Sequence, residues 1–299
     1  MVLEEIQGVK YIQSLSEIEG NLPFILISNT HTNPNDIADN IISNTKLLIH
    51  PNSGHDNLNY DFFKKANFPI VLGNPIRSNA VVEYTLSCIM NEFAPIPHHH
   101  HWSTLRTWDR KLLRDQKVTI LGYGHIGKLL HSTLSCLCHE VNVYDPYVES
   151  SDVVNILSNS MLKDTNILII AASLNDKNKN LVDNSILSHV SSDCLIINPA
   201  RGELVNEEQL VQYLQKHPKS KAYLDVFQQE PFTPGHLNEI KNANKTSHIA
   251  GVYEKLNKDI ISFEYLIIKD FMEHFDNLST IDFINEYQDC ILNEGAFRK

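Results

Sequence analysis

Three ionisable side chains in the second half of the chain follow or lie within apolar runs that have the character of buried strands. Arg201 follows LIINPA, Glu230 follows LDVFQQ, and His248 lies within TSHIAG. Ligands of open α/β sheets bind at the carboxyl ends of the strands, so these residues can meet at one edge. Each alone has an ordinary explanation, such as a surface ion pair or a solvated acid. Together they indicate a site that binds an anion and moves a proton.

A glycine-rich loop lies upstream of these residues, directly after the apolar run KVTIL. It reads Gly122-Tyr123-Gly124-His125-Ile126-Gly127 and leads into a helical pattern, KLLHSTLSCL. In this arrangement the glycines permit a tight turn, a close approach to a pyrophosphate and close helix packing, while the helix N-terminus attracts the phosphates. The loop therefore predicts a dinucleotide site. His125 can contact the pyrophosphate, or it can be an exposed loop histidine.

A carboxylate follows this loop at the distance that dinucleotide-binding folds use. Asp145 ends the next apolar run, in NVYDPY, 18 residues after Gly127. A carboxylate there binds the adenosine ribose hydroxyls and repels a 2′-phosphate. The sequence therefore predicts NAD rather than NADP as the cofactor.

The elements that must position these residues follow a regular rhythm from residue 117 onward. Apolar runs begin 23 to 27 residues apart, which leaves room for one helix between neighbours and predicts successive βαβ units. One such helix is NEEQLVQYLQKH (206–217), for which Asn206 is the expected N-cap. The predicted strands are 117–121, 140–144, 167–171, 194–198, 221–225 and 246–250. A doubly wound, Rossmann-like parallel sheet is the expected architecture.

The N-terminal third carries a smaller set of elements of the same kind. Strand-like runs lie at 23–28, 46–50 and 69–72, and helix-like stretches lie near 35–43, 59–66 and 79–93. A long amphipathic stretch at 255–275 could return the tail to this part of the chain. The fold class predicted is thus α/β with two Rossmann-like domains, of which the smaller is flavodoxin-like.

Bulk composition limits the partners. With 299 residues, 42% of them hydrophobic, the chain can form two cores, and its net charge of −11 argues against a nucleic-acid partner. We expect no membrane span and no secretory signal, because no apolar stretch is long enough and the first residues lack a basic start. The five cysteines fit reduced thiols and a cytoplasmic location.

The sequence resembles the NAD-dependent D-isomer-specific 2-hydroxyacid dehydrogenases. The stretches that carry the resemblance are GYGHIG with YDPY, INPARGELVNEEQL, AYLDVFQQEP and SHIAG, with looser matches in SGHDNLN and NAVVEYTLS. The resemblance implies an NAD-binding domain at 94–271 and a substrate domain formed by 1–93 with 272–299. It also implies a homodimer joined through the cofactor domains.

The resemblance assigns a role to each site residue. Arg201 would hold the carboxylate of a small 2-keto acid and polarise its keto oxygen. His248 would be the acid in reduction and the base in oxidation, with Glu230 fixing its tautomer and favouring its charged form. Asp225 would lie near the nicotinamide carboxamide, and the backbone N–H groups of Ser53 and Gly54 would bind the substrate carboxylate.

Some positions depart from the family pattern. Asn52-Ser53-Gly54 stands where the family often has Gly-x-Gly, and His55 replaces a usual apolar residue. Ser247 replaces the usual proline before His248, and AASLNDKNKN (171–180) lacks the usual proline and threonine pattern. These differences lie in loops that the resemblance places around the substrate and the nicotinamide.

Two alternatives for the function stay open at this level. One is an NAD(H)-binding regulator of the same fold, against which the acid–base pair argues. The other is the erythronate-4-phosphate branch of the family, which VVEYTLS and HIAG resemble. Arg77 could meet a distal anionic group of such a substrate, although a surface ion pair is the simpler role. The run His98–His101 is not expected to be a native metal site, because four consecutive imidazoles cannot easily converge on one ion.

Overall fold

The structure is a computed structural model. It describes residues 22–33, 36–52, 54–58, 62, 66–98, 100–102, 104–105, 110–231, 240–275, 283, 286–288 and 290–291. Within these residues the chain divides into two compact units, Met1–Arg77 with Val252–Lys299, and Ser78–Gly251. No helix in the described part of the chain combines the length and apolar character needed to cross a bilayer.

The regular elements alternate between strand and helix along the chain. The strands are β1 Phe24–Ile27, β2 Thr45–His50, β3 Ile70–Leu72, β4 Lys117–Leu121, β5 Glu140–Tyr144, β6 Ile167–Ile170, β7 Leu195–Asn198, β8 Lys221–Leu224 and β9 Ala243–Lys245. The helices of the described residues are α1 Asp39–Asn44, α2 Asn74–Phe93, α3 His125–Ser135, α4 Asn159–Leu162, α5 Asn184–Leu187, α6 Glu207–Lys216 and α7 Leu256–Phe275.

The second unit is built on a six-stranded parallel sheet with the order β5-β4-β6-β7-β8-β9. Apolar residues along each central strand alternate between two clusters. In β6, Ile167 and Ile169 belong to one and Leu168 and Ile170 to the other. A parallel sheet that is covered on both faces requires such continuous apolar strands. The predicted α/β architecture is confirmed.

The chain places β5 on one side of β4 and β6 on the other, so the strand order reverses at β4. In doubly wound sheets this reversal opens a crevice at the carboxyl ends of the strands, where ligands bind. The loops that carry Gly122, Asp145, Arg201 and Glu230 all follow strands of this sheet.

The first unit contains a three-stranded parallel sheet, β1-β2-β3. Leu47 and Ile49 of β2 pack with Ile267 and Phe271 of α7 on one face. The other face of this sheet packs against Ile37, Ile41, Leu58 and Phe62. The smaller α/β domain predicted from the N-terminal third is therefore present, with α7 as part of its core.

The two long helices lie at the boundaries between the units. The structural division falls at residues 77/78 and 251/252, near the first residues of α2 and α7. The sequence predicted boundaries after residues 93 and 271. The first of these is the last residue of α2, and the second lies near the end of α7. Those predicted boundaries stay a prediction.

Most predicted elements agree with the observed ones within two residues, with one error that affects the site. Strands β4 to β8 match the predicted runs, and Asn206 caps α6 by accepting the Gln209 N–H at 3.1 Å. The predicted strand 246–250 is wrong, because β9 ends at Lys245 and His248 lies in the turn beyond it. The predicted helix near 59–66 falls largely outside the described residues.

Helix α7 carries a buried acid whose ionisation should affect stability. Burial raises the pKa of Glu264 from its ordinary 4.5 to about 7. The folded state therefore binds a proton more tightly than the unfolded state, and the stability contribution of Glu264 falls as pH rises from about 4.5 to 7. Glu264→Gln removes this titration. The free energy of unfolding of the variant minus that of the wild type should therefore increase by about 2 kcal/mol between pH 5 and pH 8. Urea unfolding at both pH values measures this change.

Glu273 on the same helix is exposed and provides the matched control. Its replacement by glutamine should leave the pH dependence of unfolding as in the wild type. A Glu264→Gln difference that is the same at pH 5 and pH 8 would contradict the prediction.

Candidate active site

The glycine-rich loop lies at the reversal of strand order, between β4 and α3. Gly122 has a φ of 109°, and a β-carbon there would lie 2.5 Å from the backbone nitrogen of Ala172 in the loop after β6. Only glycine combines this backbone conformation with this close approach. The two loops at the crevice are therefore in contact at Gly122.

The N-terminus of α3 presents the features that a pyrophosphate needs. Gly124 precedes the helix, and a β-carbon built on it would meet nothing within 4 Å, so a ligand can approach its backbone. The first helical hydrogen bond runs from the Lys128 N–H to the Gly124 carbonyl, so the N–H groups of Ile126 and Gly127 have no partner within the helix. His125 is half-buried in the first turn. This cradle fits a dinucleotide phosphate.

Asp145 lies one residue beyond β5 and is bonded to the same loop. Its Oδ2 accepts the Tyr123 N–H at 2.9 Å and its Oδ1 accepts the Tyr147 N–H at 2.9 Å. Each carboxylate oxygen can accept a further hydrogen bond. The carboxylate is thus anchored beside the glycine loop with capacity left for the hydroxyls of a ribose.

The Arg201 loop is shaped by a buried asparagine at the end of β7. Asn198 donates from Nδ2 to the Arg201 carbonyl at 2.8 Å and accepts the Ala200 N–H at 3.1 Å. The Arg201 guanidinium is half-buried and donates from Nη1 to the Ala200 carbonyl at 2.8 Å. The asparagine thus turns the chain sharply at the strand end and presents Arg201 at the carboxyl edge.

Residue 202, directly after Arg201, must be glycine because the loop after β8 passes close to its backbone. A β-carbon on Gly202 would lie 1.9 Å from the carbonyl carbon of Phe227, in the loop after β8. Phe227 in turn donates its N–H to Oε1 of Glu230 at 3.0 Å. The arginine loop and the glutamate loop are therefore packed backbone to backbone.

Glu230 and His248 form the pair that the sequence predicted. The His248 Nδ1 lies 2.8 Å from Oε2 of Glu230, and the two side chains are 53% and 36% exposed. Because an ionised carboxylate can only accept, Nδ1 carries the proton in this pair. Nε2 is then the nitrogen that remains to exchange a proton with a substrate.

The backbone of His248 has a left-handed conformation, with a φ of 55°. This conformation is uncommon for a residue with a side chain, and it is incompatible with the strand that was predicted there. The His248 N–H donates to the Asp225 carbonyl at 2.8 Å. The histidine therefore sits on a turn that the neighbouring strand end holds.

Asp225 is fully buried, and its carboxylate holds the same turn. Its Oδ1 accepts the Ile249 N–H at 2.8 Å and the Thr246 hydroxyl at 2.6 Å, while Oδ2 accepts the Ala250 N–H at 2.7 Å. Tyr84 lies next to Thr246, with its hydroxyl oxygen 2.8 Å from Oγ1. Neither Thr246 nor Tyr84 was predicted from the sequence as a site residue. No local signal marks Tyr84, which is 162 residues from its partner.

The loop predicted to bind the substrate carboxylate follows β2 in the first unit. Ser53 lies outside the described residues. The Gly54 carbonyl accepts from Nε2 of the buried His50 at 2.9 Å, and Nδ1 of the same ring lies 2.8 Å from the Ser28 hydroxyl oxygen. The His50 ring thus anchors the loop through its hydrogen bond to Gly54. This residue was not predicted from the sequence. Carboxylate binding by Ser53 and Gly54 stays a prediction.

The histidine run is exposed where the structure describes it. His98 and His100 stack edge to face with ring centroids 4.8 Å apart, and His99 lies outside the described residues. Among the described residues, no group of three or more histidine, cysteine or acidic side chains is arranged to hold a metal ion.

Comparison with known proteins gives consistent matches. Residues 88–250 match the family model described as D-isomer specific 2-hydroxyacid dehydrogenase, NAD binding domain. An erythronate-4-phosphate dehydrogenase from Wigglesworthia glossinidia brevipalpis is 26% identical over 84% of this chain, which spans 64% of that relative's length. A (S)-sulfolactate dehydrogenase from Chromohalobacter salexigens is 26% identical over 69% of this chain and 71% of its own.

The fold comparison agrees with the sequence comparison. A crystal structure of D-lactate dehydrogenase from Aquifex aeolicus, complexed with NAD and lactic acid, superposes with a TM-score of 0.68. The match has 17% sequence identity and covers 90% of this chain and 86% of that one.

Proposed function

The chain belongs to the D-isomer-specific 2-hydroxyacid dehydrogenase family, and we propose that it transfers a hydride between NAD(H) and a small 2-keto or D-2-hydroxy acid. The observation that carries this proposal is the Glu230–His248 pair at 2.8 Å. It leaves Nε2 available at the edge of the sheet where the arginine and dinucleotide loops also lie. A protein that only binds the dinucleotide has no use for such a pair.

Arg201, His248 and Glu230 each have a separate role in the reduction. Arg201 is a planar, permanently charged fork that can hold the substrate carboxylate and polarise the keto oxygen. The nicotinamide, when bound, supplies the hydride to the keto carbon. His248 donates the Nε2 proton to the oxygen as it gains charge, and Glu230 stabilises the imidazolium before that transfer. In oxidation, neutral His248 takes the proton back.

The cofactor is assigned to the loop between β4 and α3. The backbone of Gly122 to Gly127 would hold the pyrophosphate, and Asp145 would hold the adenosine ribose. We assign Asp225 to the nicotinamide side of the site, where the family resemblance puts it.

Turnover of NADH with a panel of 2-keto acids tests the proposal. Oxidation of NADH that depends on the keto acid supports it. Tight NADH binding, measured by fluorescence, without turnover of any keto acid would favour a regulator of the same fold.

A second candidate substrate class is a 2-hydroxy acid that carries a distal phosphate. The similarity to an erythronate-4-phosphate dehydrogenase over 84% of the chain favours it. Arg77, half-buried in the first turn of α2, is the cation assigned to such a group. The panel should therefore pair phosphorylated acids with their unphosphorylated counterparts, and a kcat/KM ratio above roughly 10² would select this class.

The choice between NAD and NADP is a testable consequence of this assignment. We expect kcat/KM for NADH to exceed that for NADPH by more than tenfold, about 1.4 kcal/mol, because Asp145 repels a 2′-phosphate. Asp145→Ala and Asp145→Asn should both lower the ratio of kcat/KM for NADH to kcat/KM for NADPH. The asparagine variant keeps a side-chain oxygen that can accept the Tyr123 N–H of the glycine loop. Replacement of the exposed Asp152 by alanine is the control and should leave the ratio unchanged. Equal use of both cofactors by the wild type would contradict the prediction.

The oligomeric state is a second expectation, taken from the family resemblance. We place the protein in the cytoplasm as a homodimer joined through its cofactor domains. The free state of the five cysteines is consistent with a reducing compartment. Ile96, Trp102 and Leu105 are more than 80% exposed and supply apolar surface for contact. Light scattering at micromolar concentration should give twice the chain mass, and a monomer would contradict this.

A further inference from the structure

We propose that Tyr84 and Thr246 are positioning residues that hold His248 in place through Asp225. The inference rests on the proposed function, since the position of His248 matters for a rate only if the residue transfers a proton. The four residues belong to the same unit of the structure.

The direction of each hydrogen bond in this network follows from the chemistry of its groups. The Asp225 carboxylate accepts, so the Thr246 hydroxyl donates its proton to Oδ1, at 2.6 Å. Thr246 then has only lone pairs to offer, so the Tyr84 hydroxyl donates to it, at 2.8 Å. Burial raises the pKa of Tyr84, which keeps its hydroxyl protonated and able to donate. The network is therefore a single ordered chain from Tyr84 to the carboxylate.

The far end of this chain fixes three successive backbone groups. The carbonyl of Asp225 accepts the N–H of His248, and its carboxylate accepts those of Ile249 and Ala250. These bonds hold His248 at a φ of 55°, a conformation that the residue would otherwise avoid. With the backbone fixed in this way, Nδ1 meets Glu230 and Nε2 is directed away from it.

The network also explains why Asp225 can remain buried in a site that binds anions. A fully buried carboxylate is costly unless donors surround it, and here three donors do so. Loss of the Thr246 hydroxyl would leave Oδ1 with fewer donors and free the carboxylate to shift. The turn that carries His248 would then lose the geometry that Glu230 requires.

The test compares four variants. Thr246→Val should lower kcat for keto-acid reduction roughly tenfold, Thr246→Ser should restore most of it, and Tyr84→Phe should lower it roughly three- to fivefold. KM for the keto acid should stay within about twofold of the wild type in all three. Because Tyr84 acts through Thr246, the double variant Tyr84→Phe/Thr246→Val should be no slower than Thr246→Val alone.

Tyr213 offers a matched control in the same unit. Its hydroxyl donates to the Ser191 carbonyl at 2.7 Å and lies 3.0 Å from the Ser220 hydroxyl oxygen, in the loops that precede β7 and β8. Tyr213→Phe also removes one tyrosine hydroxyl, but at the opposite ends of the strands. It should leave kcat unchanged.

A second measurement does not depend on turnover. Hydrogen exchange of the Ile249 and Ala250 amides should become at least tenfold faster in Tyr84→Phe and Thr246→Val, and should not change in Tyr213→Phe. Unchanged exchange in the first two variants would overturn the network, as would losses of kcat that multiply in the double variant. If the wild type turns over no keto acid, the proposed function is wrong. The hydrogen-exchange result would still decide whether Tyr84 and Thr246 hold the turn.

Discussion

His248→Gln is expected to lower kcat for keto-acid reduction by roughly 10²–10⁴ with little change in the Kd of NADH. Glutamine can still accept or donate a hydrogen bond near Glu230, but it cannot supply a proton to the substrate oxygen at neutral pH. The loss should appear in both directions of the reaction, because oxidation needs the same nitrogen as a base. Steady-state rates with NADH and the best keto acid of the panel measure it.

Replacement of Glu230 should lower kcat less than replacement of His248 does. Glu230→Gln keeps the shape and an acceptor for Nδ1 but removes the charge that stabilises imidazolium. A charge-assisted hydrogen bond contributes about 1.5–3 kcal/mol, so this variant should lose roughly 10- to 100-fold in kcat. His139, exposed just before β5, is the control, and its glutamine variant should be fully active. A Glu230→Gln enzyme with the kcat of the wild type would refute the pairing.

The glycine loop and the Asn206 cap could be predicted because their signals are local. Gly122 needs a positive φ, and the strand before it and the helix after it are adjacent in sequence, so one short window contains the whole argument. Asn206 caps α6 through a residue three positions away. The apolar runs of β4, β6 and β7 are buried on both faces, and such runs leave few alternatives to a parallel sheet.

The position of His248 could not be predicted in the same way. Its apolar neighbours Ile249 and Ala250 resemble a strand, yet their N–H groups bond to the side chain of Asp225 instead of to a neighbouring strand. That choice depends on a carboxylate more than 20 residues earlier and on a tyrosine 162 residues from Thr246. Tertiary hydrogen bonds overrode a local preference here, at a functional turn.

The role of Gly202 likewise required the structure. The sequence shows a glycine after Arg201 but does not show what approaches it. The backbone of Phe227 occupies the space of a β-carbon, so the arginine and glutamate loops can meet only if residue 202 has no side chain. Two loops from different strands thereby become one surface, which is the physical basis for assigning Arg201 and Glu230 to the same site.

Arg201→Lys is expected to lower kcat/KM for the keto acid by roughly 10²–10⁴, with most of the loss in KM and little change in NADH binding. Lysine keeps the charge but not the planar fork, so the carboxylate loses one of its two parallel hydrogen bonds and the keto oxygen loses a donor. Each such charge-assisted bond contributes about 1.5–3 kcal/mol, and the loss of two gives the stated range.

Chemical rescue separates the loss of the fork from a loss of structure. Arg201→Ala leaves a gap beside the Ala200 carbonyl that the guanidinium now contacts. Added guanidinium should restore part of kcat/KM in the alanine variant and none in Arg201→Lys, where the lysine side chain fills the gap. The exposed Arg114 is the control, and Arg114→Lys should match the wild type. An Arg201→Lys enzyme that retains the wild-type kcat/KM would mean that the substrate carboxylate is held elsewhere, and the loop after β2 would then be the site to test.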